Sequence, residues 1–432
     1  MNLNSKCKDK KAKKTSLNQS QIIEEHLIKE LEALIVYLRK KTIGMISFDD
    51  TEIAFRSKSK SELRKAYYLF KLMGKPLLSK LGGLIANMAI KTHIPINGLI
   101  KNTIFQQFCG GESIENCSDK IDELARHNIA TILDYSVEGK TSEKDFKKTM
   151  EQTIAVLNFA HKNKNIPFVV FKITGLARFQ LLEKINLDEE LSTAEQQEYD
   201  RVIHRINKIC KKAHQYKIPI MIDAEESWIQ DAIDSIVEAM MKTYNKEQAI
   251  IYNTIQMYRH DRLDYFKKIH EHSKENGYFI GVKVVRGAYL EKENERAKKM
   301  GYPTPIQPNK EACNEDYDSA LEYACENIHG ISICAGTHNE ESSLLLTRLM
   351  QLYNIERNNP KIYFSQLLGM SDHISYNLAD KGYNTVKYVP YGPVKEVLPY
   401  LIRRAEENKS IAGQTGRELN LIIQETKRRK SN

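Results

Sequence analysis

The segment with the clearest chemical potential is YLIRRAEEN at residues 400–408. A helix would align Tyr400, Arg403, Arg404 and Glu407 on one face, because they stand at positions i, i+3, i+4 and i+7. Two adjacent guanidinium groups offer parallel donors to one carboxylate, and Glu407 can orient them from the next turn. The same spacing also suits a solvated face with an ordinary Arg–Glu pair. The segment indicates either a carboxylate-binding face or a charged surface.

A second candidate is Lys172, which ends the otherwise apolar stretch FVVFK. A lysine in that position needs a polar pocket or a depressed pKa. It can pair with a substrate carboxylate, or it can act as a Schiff-base amine. Asp223 ends the stretch IMID and can balance such cations, while Asp134 and Glu138 are spaced so that both can face the same side. No histidine lies at metal-ligand spacing from them, and no metal site is predicted.

These side chains belong to a regular series of short apolar runs. Each run is nearly continuous in hydrophobicity, as expected for a parallel strand that is buried on both faces, and amphipathic helical segments lie between the runs. Eight strand–helix units in series predict a closed (β/α)8 barrel of the TIM type, an α/β fold. The runs cover residues 128–136, 167–175, 218–226, 249–256, 279–289, 331–339, 361–369 and 384–392.

Polar residues gather at the carboxyl ends of these runs. All such ends open on one face of a barrel, where active sites are built. A single polar residue at a strand end is commonly a helix cap, but eight of them on one rim favour an active site. The rim positions are Asp134, Lys172, Asp223, Gln256, Arg286, His338–Asn339, Gln366 and Tyr388.

Composition bounds the remaining possibilities. The chain has 432 residues with 41% hydrophobic and 28% charged residues, which is typical of a soluble globular protein, and no secretory signal is predicted. The net charge of +9 resides in residues 1–47 and in the tail KRRK at 427–430, so the balanced body argues against a nucleic-acid partner. Seven scattered cysteines without a CxxC pair indicate a reducing, cytosol-like compartment.

The predicted organisation has four parts. A basic extension with a disordered start and an amphipathic helix at 21–41 precedes a helical region, the barrel and a solvated basic tail. Their boundaries are 1–47, 48–127, 128–411 and 412–432.

The chain resembles the FAD-dependent proline dehydrogenases. The resemblance rests on motifs that occur in the family's order and covers roughly residues 48–411. It implies oxidation of L-proline to Δ1-pyrroline-5-carboxylate, the first step of proline catabolism, with hydride passing from proline C5 to flavin N5. The motifs are FKITG (171–175), IDAEE (222–226), KVVRGAY (283–289), AGTHN (335–339), LLGM (367–370), YVPYGP (388–393) and YLIRRAEEN (400–408).

The resemblance assigns a substrate site. Arg403, Arg404 and Lys172 would hold the proline carboxylate, and Asp223 would steady these cations. Asp134 and Glu138 match the family's D-x-x-x-E, with Glu138 pairing with an arginine as a lid and Glu407 on the arginine helix. The walls around the pyrrolidine ring would be Tyr289, Leu367, Tyr388 and Tyr400.

The resemblance also implies non-covalent FAD. The chain has no GxGxxG or P-loop motif, so a nucleotide would lie on the barrel rim. This chain has Lys283 where relatives often carry arginine, and an ammonium is a point donor while a guanidinium is a planar fork. The family positions for the flavin are Gln256, Lys283, Val285, Arg286, Lys310, Thr337, His338 and Asn339.

A membrane quinone is the electron acceptor that the family implies. The expected location is the cytoplasm with peripheral contact to the inner membrane, or the mitochondrion if the source is eukaryotic. Within the family, 4-hydroxyproline is an alternative substrate, although Tyr388 would crowd an added hydroxyl. Outside it, Lys172 would serve a Schiff-base lyase or aldolase barrel. A third alternative is a non-catalytic scaffold that uses the basic N-terminal helix.

Overall fold

The computed structural model describes residues 46–73, 101–136, 141–410 and 414–431, without the side chains of 73, 102, 403–410, 414 and 415. Eight parallel strands form a closed barrel in sequence order, and β1 pairs with β8 to complete it. The predicted (β/α)8 fold is confirmed. The strands are β1 Ile129–Tyr135, β2 Phe168–Lys172, β3 Ile220–Asp223, β4 Ile251–Gln256, β5 Ile280–Val285, β6 Ile331–Gly336, β7 Ile362–Leu367 and β8 Thr385–Tyr391.

Burial explains why these runs are strands. Every residue of β3, β4 and β8 is buried, as parallel strands require when helices cover the outside and side chains fill the inside. The interior is packed by large side chains such as Phe168, Met221 and Tyr252. Since a barrel of eight strands is just wide enough for side chains to fill it, a binding site must lie at its rim.

Helices follow the strands and cover the outside of the barrel. Several begin at a side-chain cap, and Ser192 and Glu195 form a capping box at the start of the longest one. The helices that follow or flank the strands are Glu143–Ala160, Phe179–Asn186, Thr193–Tyr216, Ser227–Tyr244, Arg262–Asn276, Leu290–Met300, Lys310–Glu326, Glu340–Leu352, Asp372–Asp380 and Val394–Ser410. Before β1 lie Thr51–Ala54, Lys60–Met73, Gln106–Phe108 and Ser118–Ala125, and the last helix is Gln414–Ser431.

The basic C-terminal segment differs from the expected solvated tail. It forms the helix Gln414–Ser431, in which Leu421 and Ile422 are buried against Phe55 and Phe70. Arg428 and Arg429 also bind the fully buried carboxylate of Glu425. The count of basic residues concealed this, because the apolar residues occupy one helical face while the arginines satisfy a buried acid.

The expected helix at 21–41 and residues 74–100 of the expected helical region lie outside the described residues. Within the described part of the chain, no helix is both long and apolar enough to cross a bilayer.

Candidate functional site

Three side chains meet around one buried carboxylate at the carboxyl ends of the strands. Asp223 ends β3 and pairs in register with Lys172, the last residue of β2. The ammonium groups of Lys172 and Lys283 bind its two oxygens, and the Tyr388 hydroxyl donates to Asp223 Oδ2 at 3.0 Å. We call these four residues the Asp223 cluster. It joins β2, β3, β5 and β8 across the barrel mouth.

Charge sets the protonation of this cluster. Although burial alone would raise the pKa of Asp223, the two ammonium groups outweigh it and hold the pKa well below its usual range. Burial likewise opposes the charge on Lys172, but Asp223 raises the pKa of that ammonium well above its ordinary value. A Schiff-base lysine needs a neutral amine and a depressed pKa. The paired, cationic Lys172 therefore disfavours the lyase or aldolase alternative.

Two further carboxyl groups border the cluster. Asp134 is buried at the end of β1 and accepts a hydrogen bond from Ser136; burial raises its pKa against the opposing effect of Lys172. Glu225 accepts from the backbone N–H of Thr174 at 3.0 Å and from its hydroxyl, and burial raises the pKa of Glu225 to about 7. The immediate surroundings of Lys172 thus hold one firmly ionised carboxylate and two that resist ionisation.

Aromatic and aliphatic side chains form one wall. Tyr388 is 8% exposed, and Lys283 lies over its ring with the ammonium 5.3 Å from the centroid, a cation–π contact. Leu367 pairs in register with Tyr388. It also packs against two groups of buried apolar side chains, one that contains Tyr388 and one that contains Tyr400. Tyr289 lies close enough to Lys172 to raise its pKa. The structure therefore brings Tyr289 close to Lys172, and Leu367 and Tyr400 close to Tyr388, two members of the Asp223 cluster.

The helix Val394–Ser410 begins directly after Pro393 and carries the arginine pair. Tyr400 is buried on it against Phe105 and Phe108. Arg403 and Arg404 follow within one turn of this helix, but their side chains, and that of Glu407, lie outside the described part of the chain, as does the whole of Glu138. Their roles remain predictions.

The predicted flavin residues occupy the ends of β4, β5 and β6. Gln256 ends β4 and donates from Nε2 to the Glu225 carbonyl at 2.8 Å. Val285, the last residue of β5, is half-buried beside Lys283, whose ammonium is bound to Asp223. Lys310 is exposed at the start of the helix Lys310–Glu326.

Arg286 is the most constrained of this set. Its guanidinium donates to Thr337 Oγ1 at 2.7 Å, to Asn314 Oδ1 at 2.8 Å and to Ser342 Oγ at 2.9 Å. It also lies over the ring of Tyr317, 4.2 Å from the centroid. Arg286 thereby ties the end of β5 to the segment after β6.

The segment after β6 is built around Thr337, His338 and Asn339. Asn339 caps the helix Glu340–Leu352 by accepting from the Ser342 N–H at 3.0 Å, and it donates from its own backbone to Thr337 Oγ1 at 3.0 Å. His338 Nδ1 lies 2.9 Å from Ser371 Oγ. These contacts hold donor groups at the amino end of a helix, a position suited to anions.

Sequence reasoning missed several contacts of this site. Glu225 was present in the IDAEE motif, but nothing in its spacing indicated that Thr174 would bind it. Ser371 lies between motifs, and Glu418 lies in the segment expected to be a tail. Only the tertiary fold brings these residues to the rim.

A family model described as proline dehydrogenase matches residues 117–417. The chain belongs to the proline dehydrogenase family. It is accordingly an oxidoreductase enzyme, from a family that in general uses a flavin and oxidises proline-type substrates. The family assignment agrees with the resemblance found in the sequence motifs.

Relatives agree with this assignment, and a solved structure shares the fold. The chain is 34% identical to mitochondrial proline dehydrogenase 1 of Dictyostelium discoideum over 426 residues, which covers 88% of this chain and 74% of the relative. It is 28% identical to hydroxyproline dehydrogenase of Xenopus laevis, over 89% of this chain and 91% of that one. Proline utilization A of Bdellovibrio bacteriovorus, crystallised after inactivation by N-propargylglycine, shares the fold at 18% identity, with a TM-score of 0.66 over 90% of this chain. The match spans 41% of that longer chain.

The donor set of the rim fits the flavin that a proline dehydrogenase uses. Lys283 and Arg286 supply cations, and Thr337 and His338 supply polar groups next to the amino end of a helix. Such groups match the oxygens of a diphosphate and the heteroatoms of a flavin ring.

Gly287, with φ of 137°, lies against the ring of Tyr258, where a Cβ would come within 2.4 Å of a ring atom. The loop after β5 therefore requires glycine at this position.

Proposed function

We propose that the chain oxidises L-proline to Δ1-pyrroline-5-carboxylate with non-covalent FAD. The observation that carries the proposal is the Asp223 cluster, which combines one buried and one half-buried ammonium group with a tyrosine wall at the barrel mouth. Proline is small and zwitterionic, so a site for it must bind a carboxylate on one side and an apolar ring on the other. The cluster and its neighbours supply both surfaces.

The carboxylate would be bound by cations that stay charged. Lys172 is the described candidate, because Asp223 raises its pKa and its side chain is still 31% exposed. Arg403 and Arg404 would complete the clamp from the helix Val394–Ser410, where two adjacent guanidinium groups can share one carboxylate. Binding the carboxylate on this side orients the ring carbon C5 away from the cations and toward the flavin residues.

The same cations bear on the substrate amine. Oxidation at C5 requires the amine to lose its proton, and in the described part of the site two ammonium groups, those of Lys172 and Lys283, bind one firmly ionised carboxylate, that of Asp223. The proposed arginine clamp would add further positive charge. Positive surroundings disfavour a further ammonium. We therefore propose that proline binds with a neutral amine, and we assign no side chain as general base.

FAD would be held by the residues at the ends of β4, β5 and β6, namely Gln256, Lys283, Val285, Arg286, Thr337, His338 and Asn339, with Lys310 as an outlying phosphate contact. When bound, the flavin supplies the oxidising centre that accepts two electrons and a hydrogen from the substrate. The protein residues bind and orient the substrate and exclude water. The ring of the substrate is covered by Leu367, Tyr388, Tyr400 and Tyr289.

4-Hydroxyproline is the second candidate substrate, since a hydroxyproline dehydrogenase is among the relatives. The fixed position of Tyr388 argues against it. Its hydroxyl is bound to Asp223, and its ring is held by Lys283, so the side chain cannot swing aside without losing both contacts. A hydroxyl added at C4 would meet this ring.

We further propose a membrane quinone as the electron acceptor and peripheral attachment to the inner membrane, mitochondrial in a eukaryotic source. The support is the basic, amphipathic pattern of residues 1–47 and the mitochondrial proline dehydrogenases among the relatives. Full-length protein should float with anionic vesicles, and a variant that lacks residues 1–47 should not, while its dye-linked proline oxidation stays near that of the full chain. Equal flotation of both would contradict the attachment.

The central test is spectroscopic. Purified protein reconstituted with FAD should show a flavin absorption band near about 450 nm that bleaches when L-proline is added without oxygen. Δ1-Pyrroline-5-carboxylate should form in equal amount and can be trapped with o-aminobenzaldehyde. Trans-4-hydroxyproline should bleach the band far more slowly. A protein that binds no FAD, or whose flavin is reduced faster by hydroxyproline, would overturn the proposal.

A further inference from the structure

The C-terminal helix Gln414–Ser431 reaches the segment that carries the predicted flavin residues. The side chain of Glu418 is buried and accepts a hydrogen bond from the backbone N–H of Ser371. Ser371 has φ of 49° and ψ of 44°, the left-handed conformation that an L-residue keeps only when its surroundings hold it. The bond from Ser371 to Glu418 is one such constraint. Glu418 lies just beyond residues 117–417, the part of the chain that the family model matches.

Ser371 in turn contacts His338. Its Oγ lies 2.9 Å from His338 Nδ1, within hydrogen-bond distance. A second branch runs from the same residue, because the Ser375 hydroxyl lies 3.3 Å from the Ser371 carbonyl and 2.9 Å from Gln366 Oε1. Gln366 then donates to the Thr337 carbonyl at 3.0 Å. Both branches end in the Thr337–Asn339 segment.

A neighbouring residue of the helix makes an independent connection to the same segment. The guanidinium of Arg417 binds Glu340 at 2.8 and 3.2 Å, and Glu340 directly follows Asn339. His373 also contacts Glu340, at 3.0 Å, and lies 3.9 Å from Glu418. Burial raises the pKa of Glu418, while His373 opposes the shift. Two successive residues of the C-terminal helix thus connect to the Thr337–Asn339 segment, Arg417 through Glu340 and Glu418 through Ser371.

We propose that Glu418 is a positioning residue for flavin binding: it holds Ser371, which orients the ring of His338 and keeps the proton of that ring on Nε2. The Ser371 hydroxyl would donate to Nδ1, and a neutral histidine that accepts on Nδ1 carries its hydrogen on Nε2. Partners of this outer kind commonly change the affinity of a site by about tenfold or more. The inference rests on the proposed flavin site.

The test compares three variants of the full chain with a matched control. Glu418→Ala removes the acceptor for the Ser371 N–H, Glu418→Gln keeps an amide oxygen there, and Ser371→Ala removes only the hydroxyl that contacts His338. Glu425→Ala is the control, since this buried carboxylate of the same helix binds Arg428 and Arg429. We expect the dissociation constant of FAD, from fluorescence quenching on apoprotein, to rise about tenfold in Glu418→Ala and Ser371→Ala. It should stay within about twofold of wild type in Glu418→Gln and in the control.

A spectroscopic readout separates positioning from general destabilisation. Nitrogen-15 NMR of the histidine rings should show the Nε2–H form of His338 in wild type and Glu418→Gln, and a mixture of the two neutral forms in Ser371→Ala. A Glu425→Ala variant that weakens FAD binding as much as Glu418→Ala would overturn the proposal, and so would an unchanged histidine spectrum in Ser371→Ala. If wild-type protein binds no FAD at all, the proposed function itself has failed. If wild-type protein binds FAD and either of these two contradicting results is found, only the role of Glu418 is contradicted.

Discussion

Replacing Asp223 by asparagine should destabilise the protein strongly, because it leaves two ammonium groups near each other without a counter-charge. The Lys283 and Asp223 side chains are 8% and 10% exposed, so this pair receives little solvent screening, whereas Lys172 is 31% exposed and contributes less. Breaking a buried pair by removing one partner costs about 3–5 kcal/mol. An unfolding entropy of about 2.1 cal/mol/K per residue, applied to residues 48–432, converts this to a Tm about 4–6 °C lower.

The pH dependence of this loss has a definite sign. The pKa of Asp223 in the folded protein lies below its ordinary value, so its contribution to stability is complete above the unfolded-state pKa, about 4. The contribution is lost as the pH falls from there toward the folded-state pKa. The difference in Tm between wild type and Asp223→Asn should therefore stay constant between about pH 6 and 8 and shrink below about pH 4.

Differential scanning calorimetry of the two proteins across this pH range makes the measurement. Asp200→Asn is the matched control, because Asp200 is exposed and should change Tm by no more than about 1 °C. A Tm of Asp223→Asn within about 1 °C of wild type at pH 7 would refute the reasoning, as would a difference that grows on acidification. Either result would mean that the Asp223 cluster is not held together by the charge of its central carboxylate.

Three further predictions concern the substrate site and its support. Arg403→Met and Arg404→Met should each lower kcat/KM for proline on the order of tenfold to several hundredfold, with little effect on FAD affinity. Turnover of pyrrolidine, which lacks the carboxylate, should be nearly unchanged. An equal loss with pyrrolidine would show that the arginines are structural. Tyr388→Ser should raise the ratio of hydroxyproline to proline turnover, measured with a dye acceptor, because it removes the ring that crowds C4; an unchanged ratio would place specificity elsewhere. Lys387→Met should lower the Tm by several degrees, because the fully buried Lys387 ammonium binds Asp372 at 2.9 Å. A shift in Tm no larger than that of an exposed lysine variant would contradict the importance of the Lys387–Asp372 pair.

Periodicity predicted the barrel because parallel strands buried on both faces leave a strong local signal. The positions of Lys172 and Asp223 at strand ends were equally visible, since a charged residue that ends an apolar run contrasts sharply with the residues before it. Their mutual contact followed from topology: neighbouring parallel strands in register bring their last residues together. These features depend on residues close in sequence and on one rule of barrel geometry.

Contacts between distant segments were not predictable in this way. Lys283 was expected near the flavin, but its bond to Asp223 depends on how far its side chain reaches across the barrel mouth. Lys387 lies next to Tyr388 and points to the opposite side of β8, where it binds the Met370 carbonyl at 2.6 Å. The helix Gln414–Ser431 was concealed by its arginines, because a count of charges does not reveal that a buried glutamate satisfies them. Such contacts require knowledge of the packed structure.

The pairing of the last helix with the first described segments has a consequence for synthesis on the ribosome. Phe55 and Leu63 pack against Leu421 and Ile422, and Arg429 donates to the Phe55 carbonyl at 2.8 Å across 374 positions of sequence. At a translation rate of about 5–20 residues per second, the apolar face formed by the early residues stays uncovered for about 20–75 s until the C-terminal helix is made. During that interval the nascent chain exposes a surface that the finished protein buries. We therefore expect chaperones to bind this early segment, and nascent chains that stall before residue 421 to aggregate more than chains that extend past it.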